Sequence, residues 1–209
     1  MRPTVAVTGT LVFAPNLDRR RRTGSPKRPS MPGSDAPQLI VRPCFQQDLE
    51  TVQLIYGHHV LTGTGSFEIE PPTLEEMTTR WGRIVSSNWP FLVASPLNDL
   101  SRVVGFAYAS QYRDRAAYAR TFEVSVYAAP TSLRLGAGTL LLGETLSMLH
   151  GDGAREALAF IGDSFNTASI ALHQKLGFQH VGTLKNVGEK FGRWLDVVIM
   201  QRTMPTPLD

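Results

Sequence analysis

The stretch "SVYAAPTSLRLGAGTLLLGETL", Ser125 to Leu146, decides how the chain reads. It opens like a buried strand, crosses Pro130 and a glycine pair, then continues as an apolar helix. A strand therefore feeds a helix through "RLGAG", and Gly136 and Gly138 fall where the helix starts. Glycine there serves either as turn punctuation or to let a phosphate-bearing ligand lie against the backbone. A Walker loop needs Gly-Lys-Ser/Thr after four spacers, which this stretch lacks. A dinucleotide fingerprint needs a third glycine where Leu141 stands. Two readings stay open: a plain turn, or a diphosphate held by successive main-chain N–H groups at a helix N-terminus.

The flanking sequence supplies the rest of a sheet. "LIVRPC" (Leu39 to Cys44) reads as a strand, after which Asp48 is positioned to cap a helix bearing Leu49, Val52, Ile55 and Tyr56. Thr73 and Glu76 form a capping-box pattern that opens a second helix through Val85. "FLVAS", "VVGFAYASQY" and "TFEVSVYA" read as a three-stranded meander. Beyond the glycine loop come a helix from Gly138 to His150, the strand "ALAFIG" and a helix from Asn166 to Lys175 stopped by Gly177. The strands "FQHVGTL" and "LDVVIMQR" follow. Antiparallel strands joined to a strand–helix–strand crossover predict a mixed α+β fold with helices on both faces.

The chain has 209 residues, 42% of them hydrophobic and 19% charged, the balance of a soluble globular protein. Its net charge of +3 is unevenly spread. Met1 to Gln38 hold seven Lys/Arg and two Asp/Glu, whereas the remainder holds fourteen and sixteen. A slightly acidic folded part argues against nucleic acid as a partner. Residues 1–37, rich in Arg, Pro, Ser and Gly, read as a basic, disordered extension, and residues 38–209 as one domain. A single cysteine, Cys44, leaves no intrachain disulfide, and no apolar run reaches membrane-spanning length. A cytoplasmic protein with no membrane partner is the expectation. His58 and His59, being adjacent, point about 100° apart on a helix and cannot chelate as an i, i+4 pair would, so no metal is expected.

Four segments carry a resemblance: "IYGHHVLTGTGSFEIEPPT", "YASQYRDRAAYARTFEVSVYAAP", "IGDSFNTASIALHQKLGF" and "VGEKFGRWLDVVIMQ". Together they resemble the GNAT superfamily of acetyl-CoA-dependent N-acyltransferases, in its phosphinothricin N-acetyltransferase-like branch, from about Leu39 to Met204. The resemblance implies a splayed, mostly antiparallel mixed sheet flanked by helices, a homodimer, and acetyl-CoA as cosubstrate. It implies transfer of acetyl, by direct attack in a ternary complex, to the α-amine of a small amino acid or analogue. Phosphinothricin and methionine sulfone or sulfoximine define that class. Other amines, a protein N-terminus, or a non-catalytic acyl-CoA sensor are the alternatives.

By the same resemblance Glu123 is the general base, and His173, near the CoA sulfur, is a second catalytic residue that protonates or hydrogen-bonds the departing thiolate. Val126, Tyr127 and Ala128, the loop Arg134, Leu135, Gly136, Ala137, Gly138 and Thr139, and then Asn166 and Ser169 bind the cofactor. Phe67, Arg113, Arg115, Tyr118 and Lys190 line the acceptor pocket. On its own residues, Glu123 reads as a strand carboxylate whose neighbours Phe122, Val124 and Val126 would raise its pKa. Asn166 reads as a helix cap, and the arginines as groups suited to a carboxylate or phosphinate. Two positions depart from the family pattern: Leu133 stands where the loop has Gln or Arg, and Glu189 replaces the aromatic of "GFK".

Overall fold

The computed structural model describes residues 37–205. The basic extension expected over residues 1–37 lies, apart from Pro37, outside the described residues, as do residues 206–209. Strands β1 (Leu39–Pro43), β2 (Phe91–Pro96), β3 (Gly105–Gln111) and β4 (Thr121–Ala128) form an antiparallel half-sheet. Strand β5 (Glu156–Gly162) then runs parallel to β4. β6 (Gln179–Lys190) and β7 (Arg193–Thr203) complete seven strands in the order β1-β2-β3-β4-β5-β7-β6. The last strand thus inserts between β5 and β6. This is the mixed, mostly antiparallel architecture expected, with β6 and β7 longer than the sequence indicated.

The helices divide between the faces by the two-residue period of the strands. α1 (Leu49–Thr62) and α2 (Leu74–Ser86) bury Val52, Ile55, Tyr56, Met77 and Ile84 against Phe91, Val93 and Phe106. α3 (Ala137–Gly151) and α4 (Thr167–Lys175) cover the other face. There Leu142, Leu146 and Leu149 of α3 meet Phe122 and Val124, while Ile170 and Leu172 of α4 join the same core as Ala159, Ile161 and Val198.

Local chemistry fixes the helix ends. Thr73 Oγ1 accepts the Glu76 N–H at 3.2 Å and Glu76 Oε2 accepts the Thr73 N–H at 2.7 Å, the reciprocal box expected. Asn166 caps α4 through the Ser169 N–H at 3.3 Å, and Gly177 takes φ +84° after it. Asp48 differs from expectation. Its carboxylate pairs with Arg42 at 2.7 Å and accepts the Phe45 N–H at 2.8 Å, so it closes the preceding turn instead of capping α1. Among the described residues no helix is long and apolar enough to cross a membrane.

Candidate active site

The site follows from one failure of strand pairing. β4 and β5 are paired only at Thr121–Glu123 with Glu156–Leu158, and beyond Glu123 they diverge into a wedge. Main-chain groups alternate sides along a strand. Ala129 N–H donates to the Val104 carbonyl, and the Thr121 carbonyl accepts from Tyr112 N–H, which turns the odd-numbered groups of β4 toward β3. The last rung of the β4–β5 ladder uses the Val124 N–H, so the Val124 carbonyl and the groups of Val126 and Ala128 face the wedge. On β5, Asp163 N–H bonds the Asp196 carbonyl of β7, which by the same alternation turns Phe160 and Gly162 into the wedge. The result is a cleft of about 660 Å³ with donors and acceptors on both walls.

At the open end, β4 passes through a 3-10 turn, Pro130–Ser132, into the glycine loop. Arg134 takes φ +66° and Gly136 φ +82°, and the first loop amide to find a backbone acceptor is Leu140, on Gly136 at 3.1 Å. Among the described residues the N–H groups from Leu133 to Thr139 donate to no other group of the chain. Left-handed residues set among extended and helical ones, with a helix N-terminus behind them, build a concave, electropositive nest suited to an anion. The two glycines have different reasons. Gly136 is needed for its positive φ, with open space where a Cβ would stand. A Cβ on Gly138 would sit 3.2 Å from Leu172 of α4.

Arg134, Gly136, Ala137, Gly138 and Thr139 line this cleft, as do Val126, Tyr127, Ala128, Asn166, Ser169 and His173, all expected there. Leu135 is half-buried and does not line it. Leu133 does line it and is 60% exposed, so an aliphatic side chain occupies the rim. The sequence reading missed Ser132, whose buried hydroxyl lines the cleft without a hydrogen-bond partner. Orphaned polar atoms and unpaired amides along one wall fit a ligand with phosphates and amide groups, such as the acyl-CoA implied by the sequence.

His173 is the second orphan. Its Nδ1 lies 2.8 Å from the Ser169 carbonyl, and because a carbonyl only accepts, Nδ1 carries the proton. Nε2 is then a lone-pair acceptor, buried and unpartnered. Burial pushes the imidazole below its ordinary value, outweighing the Ser169 bond. A neutral ring of this tautomer accepts a hydrogen bond and has no Nε2 proton to give.

Glu123 stands at the vertex of the wedge, opposite Leu158 and Ser110. Its side chain projects on the α1/α2 face, away from Phe122 and Val124, which pack under α3. The apolar setting expected from those neighbours is therefore wrong in detail, since adjacent strand residues point to opposite faces. The predicted direction holds for another reason: burial in the fold pushes the Glu123 carboxyl above the ordinary carboxylate range. No other described residue hydrogen-bonds it. Tyr108, half-buried on the same face, senses its charge.

The expected acceptor-side residues lie on this same face, apart from the cleft lining. Arg113 lies 5.1 Å from the Tyr112 ring and 5.9 Å from the Tyr118 ring, and Tyr112 stacks on Phe160 of β5. Arg113 and Arg115 are exposed and form no ion pair among the described residues. Phe67 lies against Gly162 and Gly188, where any Cβ would overlap its ring or the Thr64 carbonyl. Lys190 is buried and donates to the Ser66 carbonyl at 2.7 Å, with burial pushing its pKa down and Glu68 opposing. Phe67 and Lys190 thus pin the loop between α1 and α2 to the far half of the sheet. Glu189 lines a separate pocket with Ile69 and Phe191.

Comparison with known proteins agrees with this geometry. Residues 56–178 match the acetyltransferase (GNAT) family. The chain is 43% identical over 190 residues to a phosphinothricin N-acetyltransferase of Alcaligenes faecalis, covering 86% of this chain and 94% of that protein. It is 32% identical to an L-methionine sulfoximine/L-methionine sulfone acetyltransferase of Pseudomonas paraeruginosa, covering 77% and 92%. A GNAT superfamily phosphinothricin acetyltransferase from Sinorhizobium meliloti, crystallised with acetyl-CoA, superposes with a TM-score of 0.76 at 37% identity, covering 79% and 88%. The strand wedge, the amide nest and these matches lead to one conclusion: the chain belongs to the GNAT family and is an acetyltransferase.

Proposed function

We propose that the protein transfers acetyl from acetyl-CoA to the α-amine of a small amino acid or analogue of the phosphinothricin or methionine sulfoximine class. The observation that carries this reading is the wedge itself, which has an anion nest at its mouth and, at its vertex, a half-buried carboxylate without a hydrogen-bond partner among the described residues. Acetyl-CoA supplies a thioester carbonyl open to attack by an amine. The amine must lose a proton to complete that attack, and Glu123, which no other described residue hydrogen-bonds, takes it through water. The Val126 amide faces the wedge and is placed to hold a carbonyl oxygen. Nε2 of His173 accepts a hydrogen bond from an amide N–H of the donor's pantetheine arm, and the departing thiolate draws its proton from solvent. Arg113 and Arg115, without carboxylate partners among the described residues, receive the acid group of the acceptor, with Tyr118, Phe67 and Lys190 shaping its surroundings.

The chemistry is direct attack within a ternary complex, since Cys44, the one thiol, is buried under α1 and burial pushes its pKa up to about 12. A homodimer in the cytoplasm belongs to the same reading. Phe160, Val197 and Ile199 form a half-exposed apolar row across the paired strands β5 and β7, and sedimentation measures the assembly.

A thiol-release assay with acetyl-CoA against amino acids, their sulfone, sulfoximine and phosphinate analogues, polyamines and a peptide N-terminus tests the proposal. Turnover confined to polyamines or peptides overturns the acceptor class, and CoA binding without turnover on any amine identifies a sensor. Arg134→Ala is expected to raise the KM for acetyl-CoA roughly threefold to tenfold, with the difference shrinking as salt rises, because an exposed charge is screened. Steady-state kinetics at two ionic strengths measures it.

A further inference from the structure

His59, near the C-terminal end of α1, takes part in none of the roles above. Its Nε2 lies 2.8 Å from the carbonyl of Ala128, the last residue of β4. The carbonyl can only accept, so Nε2 is the protonated nitrogen. The ring is half-buried, lies 5.5 Å from that of Tyr127, and lines the cleft. Burial pushes it below the ordinary imidazole value, partly offset by the Ala128 bond, so the neutral ring with this one donor is the form near pH 7.

The bond matters because of where Ala128 is. By the alternation along β4, its peptide group faces the wedge, five residues beyond the last position paired with β5. No strand supplies a donor there. An unshared carbonyl oxygen would carry its negative end to the wall that leads, within six residues, into the nest of N–H groups at Arg134 to Thr139. An anion seated in that nest would meet an opposing dipole, and the free end of β4 would be unrestrained. We infer that His59 is a positioning residue for the donor substrate: its Nε2–H holds the Ala128 carbonyl on α1, which keeps the end of β4 in line and the anion nest free of an opposing oxygen.

The inference rests on the acyl-CoA reading of the cleft, and two substitutions separate its parts. His59→Phe keeps a ring against Tyr127 and removes the donor, whereas His59→Gln removes the ring and keeps a donor at a similar reach. The expected result is about tenfold weaker CoA binding by calorimetry for His59→Phe, equivalent to ~1.4 kcal/mol. KM for acetyl-CoA should rise in parallel, kcat at saturation should change less than twofold, and His59→Gln should recover most of the loss. Thermal melting checks that both variants are folded. Wild-type-like CoA binding by His59→Phe overturns the inference, as does equal loss in both variants, which would make the ring's packing the cause. A fall in kcat with KM unchanged overturns it too. If the wild-type protein itself binds no CoA, the functional reading fails first, and the two failures are thereby distinguished.

Discussion

Glu123→Gln is expected to lower kcat by about 10²- to 10⁴-fold, the usual contribution of a positioned general base, while CoA binding by calorimetry stays within twofold of wild type. The second half of that result follows from geometry. Glu123 does not line the cleft and emerges on the α1/α2 face, so its loss leaves the donor's walls intact. The pH profile gives an independent sign. Only the ionised carboxylate accepts a proton, and burial raises its pKa, so kcat/KM should fall on acidification through a midpoint above that of a free carboxylate. Stability runs the other way. A carboxyl whose folded pKa is raised binds its proton more tightly in the native state, so its contribution is present at low pH and lost as pH rises through the folded value. The glutamine variant should therefore melt at or above the wild-type temperature at neutral pH, although nearly inactive. A Glu123→Gln enzyme with wild-type turnover removes the base from the mechanism.

The second large effect is structural. Gly162→Ala is expected to cost about 1–3 kcal/mol, as overpacking of a close contact does, and to lower Tm by roughly 3–10 °C. The new Cβ would overlap the Thr64 carbonyl oxygen and approach the Phe67 ring at 2.8 Å. A ring tip can turn aside, but a main-chain carbonyl cannot. The loop is also held from behind by the bond from Lys190 to the Ser66 carbonyl and by the contact of Tyr56 Oη with Ser66 Oγ at 3.0 Å. It must lift as a unit, carrying Gly63, Thr64 and Gly65 off the cleft they line, so KM for acetyl-CoA should rise with the loss of stability. Gly143→Ala serves as the control, because nothing stands within 4 Å of its Cβ in the middle of α3. There alanine should be neutral or stabilising by about 0.5–1 kcal/mol. Equal melting temperatures for Gly162→Ala and the wild type would show that the loop yields freely.

What the sequence made legible was local. The capping box at Thr73, the Asn166 cap and the left-handed Gly177 each depend on a few neighbouring residues, and each appears in the fold. The strand-to-helix passage at Gly136 was legible for the same reason. Three features were not, because each depends on distant partners. The extent of the wedge is set by where β5 leaves β4. The placement of β7 between β5 and β6 depends on a return across the sheet. The lodging of Phe67 over Gly162 and Gly188 joins residues about a hundred positions apart. Glu123 shows the boundary between the two kinds of information. Strand period alone says that its side chain opposes Phe122 and Val124, but which helices lie on its own side requires the topology. The tautomer of His173 likewise depends on a carbonyl four residues back that only the formed helix presents.

The gap between β4 and β5 opens to both sides of the sheet: Ser169 and His173 border it from α4, whereas Glu123 emerges beneath α1 and α2. On the proposed reaction, donor and acceptor have separate doorways to a shared meeting point. Neither has to wait for the other to leave, so initial-rate plots should give intersecting lines, and free CoA should compete with acetyl-CoA without competing with the amine.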